Sequence, residues 1–138
     1  MKRVAVSGGF DPIHVGHVRM IQEASEYGDV IVIVNSDEWL GRKKGYSFMS
    51  FIERAEIVAG LKGVVEVVRA DDDDDTVCKS LEKIVPDYFA NGGDRKSNNT
   101  SETDVCDRLG IEMLWNVGGG KIQSSSDLVK KQELINKS

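Results

Sequence analysis

Val30-Ile31-Val32-Ile33-Val34 restricts the fold more than any other stretch, being an unbroken β-branched run with no polar residue in it. A strand with one face in water alternates apolar and polar residues. An unbroken run needs cover on both faces, as in a parallel sheet packed between helices. The preceding segment fits that arrangement. Val4-Ala5-Val6 lies within a strand expected over 3–7, and Val15, Val18, Ile21 and Ala24 then fall near helical spacing, with Gly28 placed to stop the helix. Asn35-Ser36-Asp37 ends the run and can cap a short helix through Glu38, Trp39 and Leu40.

The alternation continues to the end of the chain. Gly41 to Ser50 is polar and basic and reads as a loop. Ser50, with Glu53 as capping-box partner, opens a helix whose apolar face is Phe51, Ile52, Ala55, Val58 and Ala59, bracketed by Gly60 and Gly63. Val64 to Val68 predicts a third strand; Val77, Leu81 and Ile84 predict a helix that stops at Pro86. Tyr88-Phe89-Ala90 is a fourth strand, a helix ends at Gly110, Ile111 to Trp115 is a fifth strand, and a last helix carries Leu128, Val129, Gln132 and Ile135. The expectation is one α/β domain over 1–138: a doubly wound, Rossmann-like layer sandwich with a five-stranded parallel sheet and helices on both faces.

Charge and composition remove several classes of function. The net charge is −5, which argues against nucleic acid as the partner, since that needs a basic surface. No apolar run approaches the roughly 18 residues of a membrane span, and the N-terminus has no signal-peptide pattern, so no membrane association and a cytoplasmic location are expected. Cys78 and Cys106 have neither zinc nor disulfide-framework spacing and read as buried or idle thiols. Asp71 to Asp75 reads as a solvated loop placing carboxylates at a helix N-terminus, in preference to a metal site.

Ligands of such sheets sit beyond the carboxyl ends of the strands, where strand order reverses. The turns 7–17, 91–96 and 116–126 all follow predicted strands and should converge there. In the first, Ser7-Gly8-Gly9-Phe10-Asp11-Pro12-Ile13-His14-Val15-Gly16-His17, a strand passes through a glycine turn into a helix, which aims backbone N–H groups at an anion. The stretch is neither a Gly-x-Gly-x-x-Gly pattern nor a Walker A loop. His14 and His17 are the chain's two histidines and share a helix face at i and i+3, where both can donate to phosphate oxygens. The bland alternative is a pair of solvated histidines, and a metal reading lacks a third ligand nearby.

These residues resemble the signature Gly-x-Phe-Asp-x-x-His-x-Gly-His of the cytidylyltransferase-like nucleotidyltransferases, matched by Gly8, Phe10, Asp11, His14, Gly16 and His17. Lys43-Lys44, then Phe48-Met49 and Glu53-Arg54, resemble that family's basic loop and its Glu-Arg pair. From the residues alone, Lys43 and Lys44 would be a solvated surface loop. Asp74-Asp75-Thr76, Pro86-Asp87 and Gly92-Gly93-Asp94 are similar to the bacterial heptose-phosphate nucleotidyltransferases, and Ser124-Ser125-Ser126 stands where the family has a Ser-Ser/Thr-Thr motif.

The resemblance implies a reaction in which a small phosphorylated metabolite attacks the α-phosphate of a nucleoside triphosphate and releases pyrophosphate, with Mg²⁺ bridging the phosphates and a homodimer common. It implies catalytic roles for His14, His17, Lys44 (on a mobile lid) and Ser124. Nucleotide contacts would come from Ser7, Gly8, Gly9, Phe10, Asp11, Gly16, Lys43, Gly92, Asp94, Lys121, Ser125 and Ser126, and acceptor contacts from Asp11, Arg54 and Arg95. The chain departs from the glycerol-phosphate cytidylyltransferases, which carry Arg-Thr-x-Gly-Ile-Ser before the last helix. Here Gly118 to Ser124 has no arginine, and Lys121 supplies a charge of different geometry. The expectation is CMP transfer from CTP to a glycerol- or sugar-phosphate. The alternatives are an adenylyltransferase using ATP on a heptose phosphate or FMN, and a nucleotide-binding regulator without turnover. The intact histidine pair counts against the last.

Overall fold

The Val30–Val34 run forms most of β2 (Asp29–Val34), and all five of its residues are buried. The computed structural model describes residues 2–92 and 100–118. Around β2 lie β1 (Arg3–Gly8), β3 (Val64–Arg69), β4 (Tyr88–Gly92) and β5 (Glu112–Val117), in one sheet of order β3-β2-β1-β4-β5. Every neighbouring pair is parallel, with Val4 beside Val30 on one flank of β1 and beside Tyr88 on the other. Order therefore reverses between β1 and β4, and their carboxyl ends, at Gly8 and Gly92, flank the switch point.

Helices cover both faces, which explains the unbroken run. Val30, Val32 and Val34 join Val4 and Val6 under Met20, Ile21 and Ala24 of α1 (Val15–Ala24) and Val58 of α3 (Phe51–Ala59). Ile33, Ala5 and Phe89 point the other way, under Leu81 of α4 (Cys78–Ile84) and Cys106 of α5 (Thr100–Leu109). Each such aliphatic side chain contributes on the order of 1.5–3 kcal/mol by leaving water. Cys78 and Cys106 are free and buried; burial raises both thiol pKa values, Cys106 to about 11, so both stay protonated at neutral pH. Among the described residues no helix is long and apolar enough to cross a membrane.

Several local expectations change. α2 runs over Asp37–Lys44 instead of stopping near Leu40, so Arg42, Lys43 and Lys44 form its last turn and not a loop. A cation is favoured at that carbonyl end, and Gly45 closes the helix in a left-handed conformation (φ 87°). α1 ends at Ala24 with Ser25 as its C-cap; Gly28 is instead the point where the Lys2 carbonyl passes too close for any Cβ. The apolar face of α3 is narrower than its composition suggests, because Ile52 is 76% exposed and Arg54 takes a buried place. α4 leaves through Val85 (φ 45°) ahead of Pro86, since a residue before proline avoids the helical region, and the Arg3 guanidinium caps it by donating to the Ile84 and Val85 carbonyls at 2.6 and 2.9 Å. The expected last helix lies outside the described residues.

Candidate active site

The turn after β1 is built by the protein against itself. A Cβ on Gly8 would lie 3.2 Å from the Phe10 ring, and one on Gly9 would lie 3.2 Å from Leu40 Cδ2. Phe10, with φ 53°, drops its side chain into the core at 2% exposure, so its ring is not on a ligand surface. Ser7 is half-buried in β1. The Asp11–Pro12 peptide is cis. Asp11 is buried, and its two carboxylate oxygens accept the Phe48 and Met49 N–H groups at 2.6 Å each. Lys44 Nζ reaches the same residue, 2.8 Å from its carbonyl oxygen and 3.0 Å from Oδ2. Asp11 thus spends its acceptors on holding the 46–49 segment and Lys44 to the glycine turn. In this structure the carboxylate expected at the nucleotide and acceptor makes these contacts within the protein.

The histidines cap the helix that follows. His14 Nδ1 accepts the Gly16 N–H at 3.1 Å, and His17 Nδ1 accepts the His14 N–H at 3.1 Å, a capping box made of two imidazoles. The rings stack with centroids 3.9 Å apart, and the Phe10 ring meets His17 edge-on at 4.8 Å. With Nδ1 accepting, the N–H donor of each ring is Nε2. Burial, with the neighbouring His14 adding to it, pushes the His17 pKa down to about 3. The positive end of α1 acts in the same direction. Gly16 makes the stack possible, because a Cβ there would meet His14 Cε1 at 2.9 Å.

Arg54 is fully buried, and its guanidinium donates throughout to protein acceptors. Nη1 bonds the Gly9 and Asn35 carbonyls at 2.8 and 2.7 Å, Nε the Met49 carbonyl at 3.0 Å and Nη2 Asp37 Oδ1 at 2.7 Å. A buried charge needs such partners. Here they join the glycine turn, the end of β2, the start of α2 and the 46–50 segment. Burial works against ionisation of Asp37, but the Arg54 bond, the Phe51 N–H and the charges of Arg54 and Arg69 together hold its pKa below the ordinary value. Arg54, expected at the acceptor, is here fully buried and clamps these segments together.

The acidic run is not uniformly solvated. Asp71, Asp73 and Asp75 pair with Lys83, Lys79 and Arg42, and Asp74 accepts from Thr76. Asp72, however, is buried and accepts from Asn35 Nδ2 at 3.1 Å, Ser36 N at 2.9 Å and Ser36 Oγ at 2.6 Å. Among the described residues no cluster of three or more potential ligands can hold a metal ion.

The structure therefore gathers His14, His17, Asp11, Gly16 and Lys44 around the turn at the carboxyl end of β1. It separates the two lysines: Lys43 Nζ lies over the Trp39 ring, 5.8 Å from its centroid, while Lys44 is tied to Asp11. Gly92 serves packing, since a Cβ there would lie 2.7 Å from Met20 Sδ. Asp94, Arg95, Lys121, Ser124, Ser125 and Ser126 lie outside the described residues. Sequence reasoning missed Asp72 and the clamp made by Arg54. Arg54 carried a signal: with Phe51, Ala55 and Val58 it falls at i, i+3, i+4 and i+7, on the buried stripe of α3.

A family model described as cytidylyltransferase-like matches residues 5–115. An FAD synthase of Ferroglobus placidus is 39% identical over 95 residues, covering 69% of this chain and 61% of that protein. The bifunctional protein HldE of Geobacter metallireducens is 35% identical over 135 residues, 94% of this chain but 26% of that protein. The chain thus spans about three-fifths of one relative and a quarter of the other. Among solved structures, a lipopolysaccharide core biosynthesis protein from Thermoplasma volcanium superposes with a TM-score of 0.70 at 25% identity, covering 84% of this chain and 94% of that one. With the family model running from β1 through both histidines and Lys44 into β5, the chain belongs to the cytidylyltransferase-like family of nucleotidyltransferases.

Proposed function

We propose that the chain transfers AMP from ATP to a phosphorylated sugar of the heptose class, releasing pyrophosphate. The observation that carries the chemistry is the locked histidine pair: both Nδ1 atoms accept backbone N–H groups, so the donor edge of each ring is Nε2–H. A phosphate oxygen of the acceptor attacks the α-phosphorus, and the bond to the bridging oxygen breaks as pyrophosphate leaves. His14 and His17 donate to oxygens whose charge grows in that step, and Lys44 adds a cation from the Asp11 side. No proton transfer from the protein is needed, because the leaving group departs as an anion. Both Asp11 oxygens are engaged within the protein, so Mg²⁺ would arrive bound to the triphosphate and would there offset phosphate charge.

ATP replaces the CTP expected from the sequence. FAD is FMN joined to AMP, so the FAD synthase relative points to adenylyl transfer. The sugar acceptor is supported by the resemblance of 74–76, 86–87 and 92–94 to heptose-phosphate nucleotidyltransferases and by the lipopolysaccharide core biosynthesis neighbour; HldE matches over 94% of this chain. FMN is the second reading, favoured by the FAD synthase match and by the exposed rings of Tyr46 and Phe48 beside Asp11. A pyrophosphate-release screen crossing ATP, CTP, UTP and GTP with a heptose phosphate, glycerol 3-phosphate and FMN tests the assignment. Release with ATP and the heptose phosphate is the expected result. Release confined to CTP overturns the donor, release confined to FMN overturns the acceptor, and nucleotide binding without release from any pair favours a regulator.

A further inference from the structure

α2 cannot hold its own position. It has eight residues, a glycine in its interior and one buried side chain, Leu40, so neither length nor an apolar stripe fixes it. Yet it carries Lys44 at its end, and the Lys44 ammonium must lie where the triphosphate charge develops. Single contacts hold parts of it: Arg54 donates to Asp37 at 2.7 Å, Arg69 to Glu38 at 2.9 Å and Lys44 to Asp11 at 2.8 Å. The turn between β3 and α4 is the one element that reaches both of its ends. At the N-terminus, Asp72 accepts the Ser36 N–H, the Ser36 hydroxyl and the Asn35 amide, while the same hydroxyl accepts the Trp39 N–H at 3.0 Å. Near the other end, Arg42 Nη2 donates to the Asp72 carbonyl at 2.7 Å and Nε to Asp75 Oδ1 at 3.0 Å. One short turn thus grips α2 at both ends.

We propose that Asp72 is a positioning residue for Lys44, acting through α2; the inference rests on the role given to Lys44 above. Ser36 and Lys44 are separated by about 12 Å of helix, so a swing of roughly 5° at the cap displaces the lysine by about 1 Å. A displacement of that size at a reacting centre is enough to cost about a hundredfold in rate. The effect is geometric: three acceptor bonds at the cap matter, and the charge of Asp72 acts on no substrate.

The test uses the full chain with Asp72→Ala, Asp72→Asn and Lys44→Ala, each checked for folding by thermal melting. Lys44 reactivity is read by limited acetylation and mass spectrometry, with exposed Lys62 as the internal control. Asp72→Ala should raise Lys44 labelling severalfold relative to Lys62 and lower kcat by about 10- to 100-fold, with a much smaller change in KM for ATP. Asp72→Asn should restore both, because its amide can turn its oxygen to Asn35 and the Ser36 N–H and its NH₂ to the Ser36 hydroxyl. Adding Asp72→Ala to Lys44→Ala should slow the enzyme by less than about twofold further, since the shared route is already lost. Unchanged Lys44 labelling in Asp72→Ala, an Asn variant as impaired as the Ala variant, or rate losses that multiply would each overturn the proposal. Should wild type release no pyrophosphate, the functional reading fails, while the labelling still decides the role of Asp72. Should Asp72→Ala not fold, Arg42→Gln loosens the other end and the same labelling comparison decides.

Discussion

The proposed transfer asks for imidazoles that donate to phosphate without becoming fixed cations, and the local fold enforces neutrality at His17. Its pKa of about 3 in the folded chain compares with about 6.5 in an unfolded one. The unfolded chain therefore takes up a proton that the folded chain refuses. Stability from this residue is complete above about pH 6.5 and is lost as pH falls towards 3, by at most about 1.4 kcal/mol per pH unit. His17→Asn keeps an oxygen where Nδ1 accepts the His14 N–H but cannot titrate or present Nε2–H. Urea unfolding between about pH 7 and pH 5, above most carboxylate titration, should give a flatter stability profile for the variant; an identical slope would count against a buried neutral His17. Its kcat should fall by about two orders of magnitude or more with the fold retained. Gly16→Ala separates activity from stability in another way. Alanine at a helix start is favourable, and the colliding atom, His14 Cε1, is the far end of a side chain that can swing aside. Stability should change by less than about 1 kcal/mol while turnover drops at least about tenfold, measured by melting and pyrophosphate release. The histidine pair was legible because its spacing and its glycine are local. Asp72 was not, because five consecutive aspartates look alike until the fold buries one of them against Asn35 and Ser36.

At the scale of elements, α2 shows where local signals mislead. Ser36 was readable as its cap, and its hydroxyl does accept the Trp39 N–H. Gly41 and the basic triplet read as a loop because glycine and polar residues usually mark one. The helix nevertheless runs through them, held by Arg42 and Lys44, whose partners lie 30 or more residues away in sequence. The two glycines of this element should respond oppositely to alanine. Gly41 is interior, with nothing within 4 Å of a Cβ, so Gly41→Ala should stabilise by about 0.5–1 kcal/mol through helix propensity alone. Gly45 has equally open space but sits at φ 87°, so Gly45→Ala should destabilise by roughly 1–2 kcal/mol. Chemical denaturation of both variants checks the pair, and a shift of the same sign in each would mean that α2 does not end where it does here.

At the scale of the whole molecule, the alternation of strands and helices and the β-branched run made the layered sheet legible, while strand order was not readable from those signals. Order decides the site, because the reversal between β1 and β4 opens the edge where the glycine turn sits. That edge is closed from one side by α1 lying tightly across the ends of β4 and β5, and two glycines let it do so. They differ in what they face. A Cβ on Gly92 would press on Met20 Sδ at 2.7 Å, the mobile end of a flexible side chain, so Gly92→Ala should cost no more than about 1 kcal/mol after Met20 turns. A Cβ on Gly118 would lie 2.8 and 2.9 Å from Met20 Cα and N, which are backbone, and its φ is 88°. Its N–H also donates to Glu23 Oε2 at 3.0 Å, which ties the end of β5 to α1. Neither α1 nor the strand end can yield cheaply, so Gly118→Ala should cost at least about 2 kcal/mol, combining left-handed strain with overpacking. Equilibrium unfolding of the two variants orders them directly. A Gly92→Ala variant less stable than Gly118→Ala would show that α1 is free to move away from the sheet edge, and the histidines it carries would then not be held rigidly against β1.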